Sequence, residues 1–215
     1  MAADVFVYLD TVQFSKNGLQ NRNQIKTATG ASWITIPVKH HFGQKLNEVE
    51  LANAGITLKH WKTIQANYAR AAGFRDWHGE LEALLSARYS LLVETAIAST
   101  EWMLEKLETK TKRLQASEMN QIEGEASNLV ASICRKLGAT HYLTGTGALD
   151  YLEKEDFAAI NCGIEVQTWK DFEYQQSHSS LGFVKDLSTL DVLLNCPKSA
   201  KELITSAGGW RAFGK

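Results

Sequence analysis

The chain has 215 residues, of which 44% are hydrophobic and 22% charged, and its formal net charge is -1. This length and composition are enough for one well-packed core, so we expect a single domain spanning residues 1–215. The balanced charge, without a run of lysine or arginine, argues against a nucleic acid partner, because such binding neutralises several phosphates at once. The apolar runs are far shorter than the roughly 18 residues of a transmembrane helix, so we expect no membrane span.

The three cysteines indicate the compartment. Cys134, Cys162 and Cys196 are odd in number, far apart and without CxxC spacing, which suits reduced thiols better than a disulfide framework or a zinc site. The residues after Met1 also lack the charged start and apolar region of a signal peptide. We therefore predict a cytoplasmic protein with no metal site.

Residues 5–9 predict the first strand and lead into the most polar stretch of the chain. The run VFVYL is typical of a strand that is buried on both faces of a parallel sheet. The loop that follows is rich in amide and cationic groups, which can bind a polar, anionic ligand. A solvated turn region around Asn17 and Gly18 is the alternative. The candidate ligand-binding residues in the loop are Gln13, Asn21, Arg22 and Asn23, and Asp10 is a candidate catalytic group.

A second strand is predicted at residues 33–38, after a turn at Thr29 and Gly30. Pro37 closes this strand or places it at an edge, since proline cannot donate to the ladder. Lys39 leaves the strand end, and its ammonium group is a candidate contact for a ligand phosphate. A short strand is predicted at residues 49–51.

Residues 58–107 have helical periodicity. Trp61, Ile64 and Tyr68 recur at i, i+3 and i+7, so we predict two helices that flank a break at Gly73 and a third helix from about residue 91. His60 and Tyr68 are candidates for presenting polar groups to the loop after the first strand. For Tyr68 the alternative is a core aromatic whose hydroxyl has a partner within the protein.

The remaining chain alternates strands with helices. We predict strands at residues 113–117, 141–144 and 164–169, and helices at residues 125–137, 149–152 and 187–194. Ser188 is the expected N-cap of the last helix, and Asp191 within it is read first as structural. Gly145, Thr146 and Gly147 form a turn whose backbone N–H groups can hold a phosphate or carboxylate. The spacing of this turn is not that of a Walker A or Rossmann fingerprint.

Helices between strands favour a three-layer α/β/α fold with a mostly parallel sheet and a helical insertion at about residues 58–107. Loops that follow parallel strands share the carboxyl edge of the sheet. We therefore predict that the loop from Asp10 to Asn23 and the turn from Gly145 to Gly147 meet at one pocket.

Five blocks of the sequence resemble the WbqC-like family, in the right order and over nearly the whole chain. They are LDTVQFSKNGLQNRNQIKT, WITIPV, residues 61–74, YLTGTGALDYL and LSTLDVLLNC. Members of this family are often encoded among O-antigen and other surface-polysaccharide biosynthesis functions. The resemblance implies transfer of glycine or a similar acyl group onto an amino sugar or nucleotide-sugar.

The sequence departs from the family at two places. It starts without the additional N-terminal strand and the His-Gln-Pro loop that members usually carry. We therefore expect impaired catalysis and an unpaired sheet edge that favours a homo-oligomer. Residues 174–178 resemble the family's Tyr-Pro-Gln segment, but Gln175 replaces the usual proline, and His178 follows as a candidate catalytic group.

Two functions of different classes remain. In an acyl or aminoacyl transferase, His178, His60 or Asp10 serves as the base, while Arg22, Lys39 and the backbone amides of the glycine turn stabilise the oxyanion or acyl phosphate. The alternative is a non-catalytic protein that binds a nucleotide-sugar or acts as a scaffold in polysaccharide assembly. Arg22 is the expected principal anion contact, and its alternative role is a structural pair with a carboxylate such as Asp10. The sequence leaves any cofactor, the acyl donor and the acceptor sugar open.

Overall fold

The computed structural model describes residues 1–53 and 55–214. The strands are β1 (Val5–Tyr8), β2 (Arg22–Thr27), β3 (Gly30–Thr35), β4 (Val38–Lys39), β5 (Glu50–Leu51), β6 (Lys112–Gln115), β7 (His141–Thr144), β8 (Gly163–Trp169) and β9 (Gly208–Ala212). The helices are α1 (Ile56–Tyr68), α2 (Ala72–Ser86), α3 (Leu92–Lys106), α4 (Ala126–Leu137), α5 (Lys154–Ala158), α6 (Thr189–Asn195) and α7 (Ala200–Ala207). The predicted mixture of helices and strands is confirmed, with small parallel and mixed sheets. The three-layer arrangement stays a prediction.

The chain forms two compact units, each assembled from separate stretches of sequence. The first unit comprises Met1–Leu9, Thr111–Phe172 and Leu203–Lys215, and the second comprises Asp10–Lys110 and Glu173–Glu202. Neither unit is a continuous piece of the chain, which is compatible with the single domain predicted for residues 1–215. That domain assignment stays a prediction.

The first unit contains parallel strand pairs. β1 pairs with β6, with Val5 opposite Lys112, and β7 pairs with β8, with His141 opposite Gly163. β9 extends the second pair in the antiparallel direction. The core of the first unit consists of residues of α4, α5 and the adjoining turns: Val130, Ala131, Cys134, Ala148, Leu152, Phe157 and Cys162.

Several predictions for the first unit need correction. The first strand is not buried on both faces, because Phe6 is 43% exposed. The helix predicted at residues 149–152 is a turn, and α5 begins only at Lys154. β9 was not predicted, because it starts at Gly208 and Gly209, and glycine is depleted in strands. α4 ends as predicted at Gly138, which has a φ of 63°.

The first strands of the second unit form a hairpin. β2 and β3 are antiparallel, with Arg22 opposite Thr35. Gly30, after the turn, has a φ of 109°, a conformation that glycine adopts without strain. Residues 22–26 therefore lie in a strand, and the prediction of a loop there was wrong. The amide-rich sequence has little strand propensity of its own, so pairing with β3 and complete burial of Ile25 decide the outcome.

Helices α1, α2 and α3 confirm the predicted helical segment. The break between the first two lies at residues 69–71, whereas Gly73 lies inside the first turn of α2. A Cβ atom on Gly73 would lie 2.6 Å from the carbonyl oxygen of Leu193 in α6. The glycine is thus required by close packing of α2 against α6, and it does not break the helix.

A buried hydrogen-bond network joins β2, α1 and α6. The Tyr68 hydroxyl donates to Asp191 Oδ1 at 2.5 Å and accepts from the Lys26 backbone N–H at 2.9 Å. The Tyr174 hydroxyl donates to Asp191 Oδ2 at 2.8 Å. Lys26 and Asp191 are fully buried, and Lys26 Nζ donates to the Gly182 carbonyl at 2.6 Å. The structural interpretation of Asp191 agrees with this placement.

Burial raises the pKa of Tyr68 and of Tyr174, and the adjacent Asp191 charge raises both further. Both phenols therefore stay protonated, which is the form that donates to the carboxylate. Ser188 caps α6 as predicted: its side chain accepts from the Leu190 N–H at 3.3 Å, and its own N–H donates to the Gln24 carbonyl at 2.8 Å.

No helix in the described part of the chain combines the length and the apolar character needed to cross a bilayer.

Cys134, Cys162 and Cys196 are free. Burial raises the pKa of Cys134 to about 12, and the neighbouring Cys162 raises it further. Cys134 therefore carries a neutral thiol near pH 7 and packs as a small apolar residue.

We expect Tyr68→Phe to lower the free energy of unfolding by about 1–3 kcal/mol, because it leaves a buried carboxylate oxygen and a buried N–H without a partner. Tyr89→Phe is the matched control, since the half-buried Tyr89 hydroxyl donates only to the Leu84 carbonyl. Urea denaturation measures both values. An equal or smaller loss for Tyr68→Phe would contradict the structural role of this network.

Candidate functional site

A cavity of about 220 Å³ in the second unit brings together four of the predicted site residues. Asn21, just before β2, and Arg22 and Asn23, at its start, line the cavity, and His60 lines it from α1. Residues of β3, α2, α3 and the start of α6 complete the wall. The hairpin and the helical segment thus place the two predicted groups of polar residues around one space.

Arg22 is held at this cavity by contacts on both sides of its guanidinium group. Nη2 donates to the Asn17 carbonyl, and the guanidinium carbon lies 4.4 Å from the centroid of the Trp33 ring. Nε is buried without a hydrogen-bond partner. Within the described residues the structure gives Arg22 no carboxylate partner, so a structural pair with Asp10 is not what fixes it.

The backbone of Ile36, the residue after Thr35 of β3, orients Asn21. The Asn21 side-chain nitrogen Nδ2 donates to the Ile36 carbonyl at 2.9 Å, and the Asn21 backbone carbonyl accepts from the Ile36 N–H at 2.8 Å. Asn21 Oδ1 is buried without a partner. The neighbouring Asn23 is exposed, and its Oδ1 accepts from the Gln24 N–H at 2.8 Å.

His60 is a buried histidine whose tautomer follows from its partner. The side chain is 8% exposed, and Nε2 lies 3.0 Å from the Thr35 carbonyl oxygen. A carbonyl only accepts, so Nε2 carries the proton and Nδ1 is the basic nitrogen of the neutral ring. Burial lowers the pKa of His60, with Lys59 acting in the same direction and the Thr35 bond opposing both. His60 is therefore neutral at pH 7 and able to accept a proton at Nδ1.

His178 lies in a second cavity, of about 690 Å³, whose lining is mainly polar. Residues 175–180 line it together with Asn67, Arg70 and Asn195. His178 has a φ of 55°, and its Nε2 is buried without a partner. Histidine adopts this left-handed conformation more readily than most non-glycine residues, and six other described non-glycine residues share a positive φ.

The segment around His178 is well anchored although Gln175 replaces the family's proline. The Gln176 side chain bonds both backbone groups of Val184 at 2.9 Å. The Ser177 N–H and hydroxyl both donate to Asn195 Oδ1 at 2.8 Å. These bonds hold the loop conformation without a proline ring.

Two candidates near the start of the second unit lie outside both cavities. Asp10 is 1% exposed, and its carbonyl accepts from the Asn47 N–H at 3.0 Å. Gln13 is exposed and forms an isolated antiparallel bridge with Lys45. Neither is among the residues that surround His60 or His178.

Lys39 and Tyr68 also lie outside the two cavities. Lys39 is exposed on β4, with Nζ 4.0 Å from Glu50 Oε2 across the strand pair. Tyr68 is fully buried, and Lys26 and Asp191 account for the bonding of its hydroxyl without a ligand. The structure thus separates these residues from the cavity that contains Arg22.

The predicted glycine turn belongs to the first unit. Thr146 and Gly147 lie in a short 3-10 helix after β7, and Gly145 precedes it. No atom lies within 4 Å of a Cβ built on either glycine, so the protein's own packing does not require glycine at these positions. The predicted meeting of this turn with the loop from Asp10 to Asn23, which is in the second unit, stays a prediction.

Sequence reasoning missed Thr95 of α3. It is 4% exposed, lines the cavity of Arg22 and His60, and has a buried Oγ1 without a partner. A threonine in a helix ordinarily bonds a carbonyl of the preceding turn. The signal in the sequence was a run of small and hydroxyl residues on one face of α3: Thr95, Ala96, Ser99 and Thr100. Within residues 1–53 and 55–214, no group of three or more metal-ligating side chains is placed to hold a metal ion.

We expect the free energy of unfolding to fall below about pH 6.5, the ordinary histidine value, as acid protonates His60 in the unfolded chain first. The pKa of His60 is lower in the folded protein than in the unfolded chain. Above the unfolded pKa the free energy of unfolding does not change; between the two pKa values it falls as the pH falls, and below the folded pKa it falls no further. Urea denaturation from pH 7 to pH 5 should give a steeper decline for the wild type than for His60→Gln. His78→Gln, at an exposed position on α2, should decline as the wild type does. Identical slopes in all three proteins would contradict the neutral state of His60.

Comparisons with known proteins agree with the resemblance of the sequence blocks. Over 221 aligned residues the chain is 29% identical to the "Uncharacterized protein Rv1507c" of Mycobacterium tuberculosis (strain ATCC 25618 / H37Rv), and the match covers 94% of this chain and 87% of that protein. No solved structure matches the chain. The WbqC-like protein family matches residues 1–203, and the chain therefore belongs to that family.

Proposed function

We propose that the protein is a transferase that joins a small acyl group, such as glycine, to the amine of an amino sugar or nucleotide-sugar. The observation that carries the proposal is the placement of neutral His60, Asn21 and Arg22 around one cavity. Membership of the WbqC-like family supports a role in surface-polysaccharide biosynthesis, which is where the resemblance places this family. A cytoplasmic location is part of the proposal.

The chemistry requires a base and a stabiliser of negative charge. The amine nitrogen attacks the carbonyl carbon of an activated acyl donor, a C–N bond forms, and negative charge develops on the carbonyl oxygen. His60 Nδ1 accepts the proton that the nitrogen loses. The bond to the leaving group then breaks, and the proton passes from His60 to that group. The products are the amide and the protonated leaving group.

Arg22 is suited to the developing oxyanion. Its Nε–H has no partner in the free protein, while the Asn17 and Trp33 contacts hold the guanidinium plane. Because these contacts orient the donor before a substrate binds, less reorganisation of the donor itself accompanies the stabilisation of charge. Asn21 Nδ2 has a second N–H besides the one that bonds Ile36, which adds another donor at the same cavity.

The second candidate function is non-catalytic binding of a nucleotide-sugar. It is favoured by the cavity around His178, where hydroxyl, amide and guanidinium groups of Ser177, Ser180, Asn195 and Arg70 offer hydrogen bonds to a sugar and a phosphate. Self-association into a homo-oligomer stays a prediction under either function.

We expect Arg22→Lys to lower kcat/KM for acyl transfer by about 10- to 100-fold, because it keeps the charge but removes the fixed Nε donor, worth about 1–3 kcal/mol. His60→Gln should reduce kcat by about 100-fold or more, as for loss of a general base. The assay follows a labelled acyl group from a thioester or acyl phosphate onto an amino sugar. Arg75→Lys, an exposed cation on α2 outside both cavities, is the control.

Binding of nucleotide-sugars to the same proteins, measured by thermal shift, separates the two candidates. Binding without transfer from any activated donor would support the non-catalytic alternative and contradict the transferase. Transfer that is insensitive to both substitutions would contradict the assignment of the site.

A further inference from the structure

The cavity that contains Arg22 and His60 has an apolar wall that glycine transfer does not use. All three residues that α2 contributes are leucines, Leu81, Leu84 and Leu85, at i, i+3 and i+4. Ile64 and Met103 extend this surface from α1 and α3. A wall of this kind favours an aliphatic chain, which buries more apolar surface against it than a sugar hydroxyl or a phosphate does.

We propose that this cavity binds the aliphatic chain of a medium-chain acyl group, with its carboxyl or acyl carbonyl at Arg22 and Thr95. That this acyl group is the substrate transferred at the site rests on the proposed function. The binding itself does not depend on catalysis.

The size of the cavity sets the length of the chain. A cavity of about 150 Å³ lined by Leu, Ile and Phe accommodates benzene, which has six carbon atoms. The present volume of about 220 Å³ is half as large again. It therefore matches on the order of eight to nine carbon atoms by the same scale, and glycine would leave most of the apolar wall uncovered.

Two unpaired donors indicate the head group. Thr95 Oγ1 and Arg22 Nε are buried without hydrogen-bond partners, and both residues line the cavity. Asn21 Oδ1 is also unpaired, but an amide oxygen only accepts and so bonds no carboxylate. The side chain of Thr95 is more than nine-tenths buried. These atoms are covered in the free protein, so a ligand reaches them as neighbouring groups move aside, and the bonds that it makes favour that movement.

Charge decides between classes of head group. Arg22 is cationic and has no carboxylate partner among the described residues, so an amine at this position would be repelled. A carboxylate or the oxygen of an acyl carbonyl accepts from Arg22 Nε and from the Thr95 hydroxyl. The combination of a cationic head site and a leucine wall therefore fits an acyl group with an aliphatic chain.

The test is calorimetric titration of the full chain with acetate, butyrate, hexanoate, octanoate, dodecanoate and glycine, each below its micelle concentration. We expect affinity to rise about fourfold per added methylene up to about eight carbons, as for burial of a CH₂ group, with no further gain for dodecanoate. Equal affinity for acetate and octanoate, or no octanoate binding, overturns the proposal.

Ala96→Leu narrows the cavity from α3 and should weaken octanoate at least tenfold while sparing acetate. Ala98→Leu is the matched control, since Ala98 lies on the same helix but does not line the cavity. Thr95→Val is a milder second variant that removes the unpaired hydroxyl. It should weaken every acid by a similar factor and leave the dependence on chain length unchanged. Octanoate affinity that is insensitive to Ala96→Leu overturns the proposal.

The inference and the proposed function fail separately. Octanoate binding without transfer to any amino sugar supports the acyl-chain site and contradicts the transferase. Transfer of a glycyl group, together with binding that does not depend on chain length, supports the transferase and overturns the acyl-chain site.

Discussion

The buried Asp191 carboxylate is the group on which the second unit depends. A carboxylate with no exposed surface is tolerated only if its oxygens accept hydrogen bonds. Tyr68 and Tyr174 each donate to one oxygen, and Tyr68 in turn accepts from the backbone of Lys26. Tyr68 belongs to α1, Tyr174 to the segment after β8, and Lys26 to β2. The Asp191 side chain of α6 is therefore bonded, directly or through Tyr68, to three other parts of the unit. Loss of any one bond leaves a charged or polar group uncompensated in the interior.

This network also sets where the candidate chemistry lies. Tyr68 and His60 are eight residues apart on α1, which corresponds to about 12 Å along a helix. At the C-terminal end of α1, the Tyr68 hydroxyl bonds β2 and α6. Near the N-terminal end, the His60 imidazole bonds the Thr35 carbonyl of β3. With both ends tied to the hairpin, the helix holds His60 at the cavity that Arg22 lines. A site that is held by regular elements keeps its geometry better than one carried on loops.

The sequence could predict elements that are determined by their own residues. The strand His141–Thr144, the end of α4 at Gly138 and the Ser188 cap all follow from local patterns, and the structure has them in place. β2 could not be predicted, because its amide-rich residues form a strand only through pairing with β3. Asn21, Arg22 and His60 could be selected by chemical type and family block. Thr95 could not, because a single threonine in a helix is ordinary until residues from distant parts of the chain enclose its hydroxyl.

The unpaired polar atoms of the two cavities carry a thermodynamic argument. A buried donor or acceptor without a partner costs about 1–3 kcal/mol, and whole domains are stable by only about 5–15 kcal/mol. Asn21 Oδ1, Arg22 Nε and Thr95 Oγ1 are such atoms on residues that line one cavity, and His178, with its unpaired Nε2, lines the other. The same unit satisfies both carboxylate oxygens of Asp191 with tyrosine hydroxyls, so its interior can pair polar groups where structure alone requires it. Buried side-chain atoms without a partner also occur away from the cavities, at Thr11, Asn47 and Asp156, so a missing bond alone does not mark a site. At the two cavities the missing bonds coincide with space for a ligand, and a partner that fills this space would offer an acceptor to Arg22 and a hydrogen-bonding group to His178.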